Sequence, residues 1–323
     1  MSGPRTYYTG WAITAVLLLL LPQLLPDIYV NLATEILIYA LFAVSFNLLF
    51  GYGGLLPFGH AALFGIGCYA AALIFKHYTG APLLLALLIA TLSGGLGAAV
   101  MGPFCVRLKG AYFALITTAF QMFLYAVAVK WRSLTYGDDG MTFTRSDLYL
   151  PALGTISMRS IQNVYYFTLV IASIGILACY LFLKTPLGNS VVCTREKDIR
   201  ASFLGYNVFL TRYTAFFASG FLAGLSGGLF AFFQEFVATS CIDLDMSMKV
   251  VFMDVIGGPT RFMGPVLGSA FYIVFQDWIS SLTRHWWILM GTCFVVMVLY
   301  LEGGLISLIR MEKIRFLVSR WRK

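Results

Sequence analysis

Side chains able to do chemistry are few in this chain. Asn47, His60, Gln121 and Asp254 are polar interruptions of long apolar stretches. An acid within a membrane span is costly and is usually functional or paired. Asp254 stands four residues before Gly258, however, and could lie near the aqueous end of a short helix. His60, at a helix start, could simply satisfy backbone groups. A proton relay would want several such groups in register, and these four do not show it. No GxxxxGK[ST] loop occurs, so the chain itself does not bind ATP in the P-loop manner. HExxH, GxSxG and paired catalytic carboxylates are missing too. The six cysteines (Cys68, Cys105, Cys179, Cys193, Cys241, Cys293) have no CxxC or CxxH spacing, which argues against metal and disulfides. What remains is a conduit, with no catalytic set.

The densest charge lies between Thr185 and Gly205, where Arg195, Glu196, Lys197, Asp198 and Arg200 put five charges into six positions. On a helix over 190–204, Val192, Ile199 and Phe203 share one narrow face, and Gly205 stands where a C-terminal cap belongs. Such a helix could lie on lipid headgroups or fill a partner's groove. Headgroup helices tend to have a basic polar face, whereas this one mixes both signs.

The elements that carry these residues follow from composition. The chain is 60% hydrophobic and only 11% charged, against roughly a quarter charged in soluble proteins. Apolar runs of about 20 residues fit membrane helices, not strands. The expected fold is all-α, a polytopic membrane protein of about ten transmembrane helices. The runs are Trp11–Leu25 (a retained first helix, since no small-x-small cleavage site follows), Leu32–Phe50, His60–Leu73, Leu83–Phe104, Tyr112–Val129, Val164–Leu183, Tyr213–Phe233, Val250–Ile256, Val266–Trp278 and Trp286–Leu301. Residues 1–309 then form one transmembrane domain, with a loop at 132–160 on the opposite side from 185–205, and 310–323 a basic tail. Alternating the spans puts fifteen of the 22 basic residues on the side of the termini and of 185–205. That excess marks the side as cytoplasmic, and the net charge of +8 reads as topology more than as nucleic-acid binding.

Two Gly/Pro breaks interrupt the spans, Gly51–Gly59 around Pro57 and Gly257–Gly264. Broken helices in both halves of a transporter point to its path, but tight turns need glycine as well. Gly220, Gly224 and Gly228 recur every four residues, and Gly264 and Gly268 repeat the spacing. That register lets helix backbones approach closely in lipid.

Four blocks, in order, resemble the permeases of branched-chain amino acid ABC importers of the LivM type. They are GYGGLLPFGHAALFGIGCYAAAL, RLKGAYFALITTAF, TPLGNSVVCTREKDIRASFLGYNV and IGGPTRFMGPVLGSA. Departures from the family pattern fall at Pro57, Asn189, Phe203, Lys249 and Asp254. The resemblance implies a sister permease, two cytoplasmic ATPases that hold ATP and Mg, a periplasmic binding protein, and an inner-membrane location with no cofactor in this chain. It makes 185–205 the ATPase-coupling segment, with Gly188, Val192, Arg195, Glu196, Ile199, Phe203 and Gly205 as its residues. Asn47, Pro57, Phe58, Gly59, His60 and Asp254 become the expected substrate pathway. The reading that competes with it is an ion-coupled secondary transporter.

Overall fold

The computed structural model describes residues 18–78, 82–150, 154–196, 198–259, 261–300 and 303–305. Besides helical residues 18–24 and the four-residue helical turn Arg132–Thr135, the helices are α1 (Asp27–Asn47), α2 (Ala61–His77), α3 (Leu83–Cys105), α4 (Ala111–Lys130), α5 (Ile161–Lys184), α6 (Pro186–Glu196), α7 (Asp198–Phe203), α8 (Val208–Gln234), α9 (Leu244–Gly257), α10 (Gly264–Leu282) and α11 (Trp286–Tyr300). Prolines set several starts: Pro26 and Pro82 precede α1 and α3, and Pro265 sits in the first turn of α10. Asn207 caps α8 by accepting the Leu210 N–H at 3.1 Å.

Five helical stretches among the described residues are long and apolar enough to cross a membrane: 27–52, α3, α4, α5 and α8. Two shorter apolar helices, α2 and α11, accompany them. The expected short span at 250–256 is part of the 14-residue α9, about 21 Å long and short of the ~30 Å hydrocarbon core. A count of ten spans therefore does not follow from helix length. Of the expected first helix, residues 18–24 are helical. Tyr165 and Tyr166 of α5 donate to the Leu18 and Leu19 carbonyls at 2.8 and 3.0 Å. Residues 11–17 and the basic tail 310–323 lie outside the described residues.

At the centre α8 is wedged between α2 and α3, and small residues let it in. A side chain on Gly94 of α3 would collide with the Gly220 carbonyl, 2.5 Å away, and with the Gly224 Cα at 2.6 Å. Gly227 packs on the Phe64 carbonyl of α2, and Gly228 on Ala90 of α3. The outer helices turn apolar stripes away from the bundle: Leu84, Leu88, Leu92 and Leu96 on α3, and Val170, Ile174, Leu177 and Leu181 on α5. Spacings of three and four place each stripe on one face, where lipid would cover it.

The bundle has two polar ends. At one, Lys76 lies over the Tyr136 ring at 3.4 Å, and Arg145 pairs with Glu235 at 2.9 Å. Strand β1 (Met141–Thr142) there pairs antiparallel with β4 (Phe236–Val237), while β2 (Leu148–Leu150) and β3 (Gly154–Ile156) form a hairpin in the 132–160 loop. At the other end α6 and α7 meet the α3–α4 turn and the first break, which in turn touches the second at Pro259. All six cysteines are free; Cys193 on α6 is exposed, and Cys68, Cys105, Cys179 and Cys241 are buried.

Candidate functional site

The first break begins as a change of helical pitch. After Asn47 the chain runs through a π-helical turn, Leu48–Tyr52, a distortion often found at functional sites. Gly51 makes it possible, because the Asn47 Oδ1 and the Pro259 carbonyl occupy the space a side chain would need. Gly54 then turns at φ +65°, with the Arg195 Cγ 3.0 Å from where its Cβ would stand. Arg195 of α6 donates to the Gly51 carbonyl. The end of α1, the second break and the charged segment therefore converge on Gly51.

The charged segment is helical on both sides of residue 197, as α6 over Pro186–Glu196 and α7 over Asp198–Phe203, within the stretch 190–204 where a helix is expected from its pattern. Gly188 is buried against the Leu183 backbone, and Val191, more than Val192, faces the bundle. Glu196 is exposed, and Lys197 lies outside the described residues. What ties the segment to the bundle is electrostatic and comes from residues distant in sequence. Arg212 of α8 donates to both oxygens of Asp198 at 2.7 and 2.8 Å, and Lys109 of the α3–α4 turn pairs with the same carboxylate. With its acid tied to the bundle, α7 turns Ile199 (70% exposed) and Phe203 (86%) outward. Its end is a Schellman motif: Tyr206 N–H reaches the Ala201 carbonyl at 3.1 Å and Gly205 N–H the Ser202 carbonyl at 3.0 Å, with Gly205 at φ +86°.

The remainder of the first break crosses the interior on hydrogen bonds. Gly59 N–H points to the Thr117 hydroxyl at 3.4 Å. The Ser45 hydroxyl donates to the Phe42 carbonyl at 2.6 Å, which leaves its lone pairs for His60 Nε2 at 2.9 Å. His60 stacks on Phe42, with centroids 5.3 Å apart. A serine beside a histidine invites a catalytic reading, but the serine proton is directed elsewhere and His60 Nδ1 has no hydrogen-bond partner, so no acid orients the ring. Next along, Ala61 N–H donates to the Ser247 hydroxyl (3.0 Å), Ser247 to Gln121 Oε1 (3.1 Å), and Gln121 Nε2 to the Ile242 carbonyl (2.7 Å). This relay ties α2, α4 and α9 together. Pro57 is buried and Phe58 half-buried.

Asn47 and Asp254 are fully buried, and the Asn47 Oδ1 and both Asp254 oxygens make no hydrogen bond. Gly257, Gly264 and Gly268 press α9 and α10 together at the second break. No cluster of three His, Cys, Asp or Glu that could hold a metal occurs among the described residues.

Several residues that matter in this geometry escape a reading by sequence. Lys109 and Arg212 count there only toward topology, and Ser45, Thr117 and Ser247 look like ordinary small residues of apolar helices. Their hydroxyls in otherwise apolar runs are the one signal available. A cavity of about 290 Å³ between α1, α8 and α9, bordered by Glu35, Asp243, Asp245 and Lys249, also goes unmarked.

Comparison with known proteins bears on this arrangement. Residues 28–301 match the family model described as the permease component of the branched-chain amino acid transport system. The LivM permease proteins of the high-affinity branched-chain amino acid transport systems of Salmonella typhimurium and Escherichia coli are each 26% identical to the chain over 301 residues. Those alignments cover 87% of this chain and 70% of each relative. A probable LivH permease of Methanocaldococcus jannaschii is 25% identical over 251 residues, 76% of each chain. No solved structure matches. The match across almost the entire described chain, on a bundle of apolar helices, shows the family: the protein belongs to the branched-chain amino acid transport permeases.

Proposed function

We propose that the chain is one permease subunit of an ATP-driven importer in the bacterial inner membrane. Its solute is a branched-chain amino acid or a related small polar molecule such as urea, an amide or a carboxylate, handed over by a periplasmic binding protein. A sister permease completes the pore, and two cytoplasmic ATPases holding ATP and Mg dock on residues 185–205. Both termini then face the cytoplasm. One observation carries this reading. Lys109 and Arg212 hold Asp198 inward, so α7 offers Ile199 and Phe203 to whatever lies beyond the bundle, while Arg195 of the same segment grips the broken end of α1. A push on α6–α7 would reach Gly51 and, through it, Pro259.

Burying one large apolar side chain contributes roughly 1.5–3 kcal/mol, and an Ile199→Asp change would also drive a carboxylate into an apolar groove. In purified, reconstituted complexes Ile199→Asp should lose the co-purifying ATPase and solute-stimulated ATP hydrolysis, while the permease still inserts. Normal ATPase retention would refute the docking assignment. A second reading rests on Asp254, whose buried carboxylate has no hydrogen-bond partner among the described residues. Such a group suits an ion-coupled carrier. Uptake abolished by ionophores and insensitive to vanadate would favour that reading; the reverse pattern favours the importer.

A further inference from the structure

Two of the cysteines meet. Cys68 lies on α2, and Cys241 ends the short turn Thr239–Cys241 between β4 and α9. A side-chain hydrogen bond joins their thiols, and both residues are buried. The contact belongs to a wider packing of that turn on α2. A side chain on Gly65, one helical turn before Cys68, would run into Ile242 and stand 3.3 Å from the Cys241 carbonyl. Cys105 and Cys179 are buried as well, and no thiol–thiol bond involves either of them among the described residues. Spacing in the sequence argues against disulfides, yet the fold brings together two thiols that no local motif links.

The turn sits where a lock would count. The Thr239 hydroxyl donates to Asp138 Oδ1 at 2.9 Å, which places it at the end of the bundle that carries the 132–160 loop. Through β4 it joins α8 to α9. Its ties to α2 and α4 are packing and hydrogen bonds: Gln121 Nε2 donates to the Ile242 carbonyl, and Ala61 N–H of α2 to the Ser247 hydroxyl at the start of α9. Such bonds break and re-form as helices move, whereas a covalent bond holds. Cys241 also lines the cavity between α1, α8 and α9, so a small reagent entering that space reaches it.

We propose that Cys68 and Cys241 form a reversible disulfide that locks the α8–α9 connection onto α2 and so arrests transport. The oxidant is itself a disulfide, small or carried by a protein. The Cys241 thiolate attacks one of its sulfurs and expels the other as a thiol; Cys68 then attacks the Cys241 sulfur and expels the second thiol. One S–S bond breaks and one forms, two electrons pass to the oxidant, and the two cysteine protons leave on the released thiols. A thiol reductant reverses both steps. With α6–α7 in the cytoplasm, this end faces the opposite side, where disulfides persist. That orientation and the arrest of transport rest on the importer reading; the bond between the two cysteines does not.

The test takes the full-length chain with its co-purifying subunits in nanodiscs, oxidised with dithiodipyridine or kept in dithiothreitol. Mass spectrometry of the digested protein should find the Cys68 and Cys241 peptides linked after oxidation and separate after reduction. Hydrogen exchange of the 239–246 amides should slow about tenfold in the oxidised form, because the turn then opens less often. Cys68→Ala and Cys241→Ala should each elute as the intact complex and lose both the link and the slowing, while Cys193→Ala keeps both. In proteoliposomes, ATP-driven uptake of L-leucine should fall severalfold on oxidation and recover on reduction. No Cys68–Cys241 link in the unaltered protein, or a link that leaves exchange at 239–246 unchanged, would overturn the proposal, as would full uptake by the linked protein. Uptake missing from the reduced protein too would count against the importer reading instead, and the link and the exchange would still decide the lock.

Discussion

The two breaks share glycine and proline and are held differently. Around Gly51–Gly59, glycine makes room for side chains, Asn47 at Gly51 and Arg195 at Gly54, and at Gly59 for the Thr117 backbone. Arg195 reaches the Gly51 carbonyl, Thr117 the Gly59 N–H, and His60 turns to Ser45. Around Gly257–Gly264, glycine brings backbones together. Gly257 N lies 2.8 Å from the position of a Cβ on Gly268, Gly304 crosses over Gly257 and Gly258, and Leu305 N–H closes on the Ile256 carbonyl at 2.8 Å. One break is a polar joint that a neighbouring helix can pull; the other is a steric clamp. The two touch where Gly51 meets Pro259, so a pull on the joint works against a fixed point.

The largest expected effect tests the clamp. Gly268→Leu would drive a side chain into the Met253 carbonyl and the Gly257 backbone. It should cost about 3 kcal/mol or more, read as loss of a folded species in thermal unfolding of the detergent-solubilised protein. Full retention would mean that α9 and α10 can separate, and the contrast between the breaks would collapse. Next comes the joint. Arg195→Ala removes a charge-assisted bond worth about 1.5–3 kcal/mol. Because Arg195 is partly exposed, membrane levels should hold while solute-stimulated ATP hydrolysis drops about tenfold. The smallest effect belongs to His60→Leu, which forfeits one neutral hydrogen bond to Ser45, about 1 kcal/mol. Its melting temperature should fall by a few degrees, and a loss as large as that of Gly268→Leu would make the first break a clamp as well.

What sequence could reveal divides along the same line. The register of Gly220 and Gly224 is local, and so is the cap at Gly205; both can be read from neighbours in the chain. The helical, lipid-facing character of the bundle follows from apolar runs and the scarcity of charge. Pairings between remote stretches cannot be read that way. Asp198 ties the charged segment to the bundle because Lys109 and Arg212 arrive from elsewhere in the chain, and no periodicity within 185–205 encodes them. The π-helical turn depends on Pro259 filling the space beside Gly51, some two hundred residues further along. Glu35 and Lys249 look unrelated until α1 and α9 stand side by side.

Cys193 gives the native chain its own reporter of sidedness. It is the exposed thiol of the charged segment, and four of the other five cysteines are buried. A membrane-impermeant maleimide should therefore spare it in intact cells and label it in inverted vesicles, without any engineered cysteine. Occupancy can be read at the same atom: an ATPase seated on α6–α7 should slow the reaction, and its removal restore it. One alkylation rate would then report both which way the protein faces and whether its motor is attached.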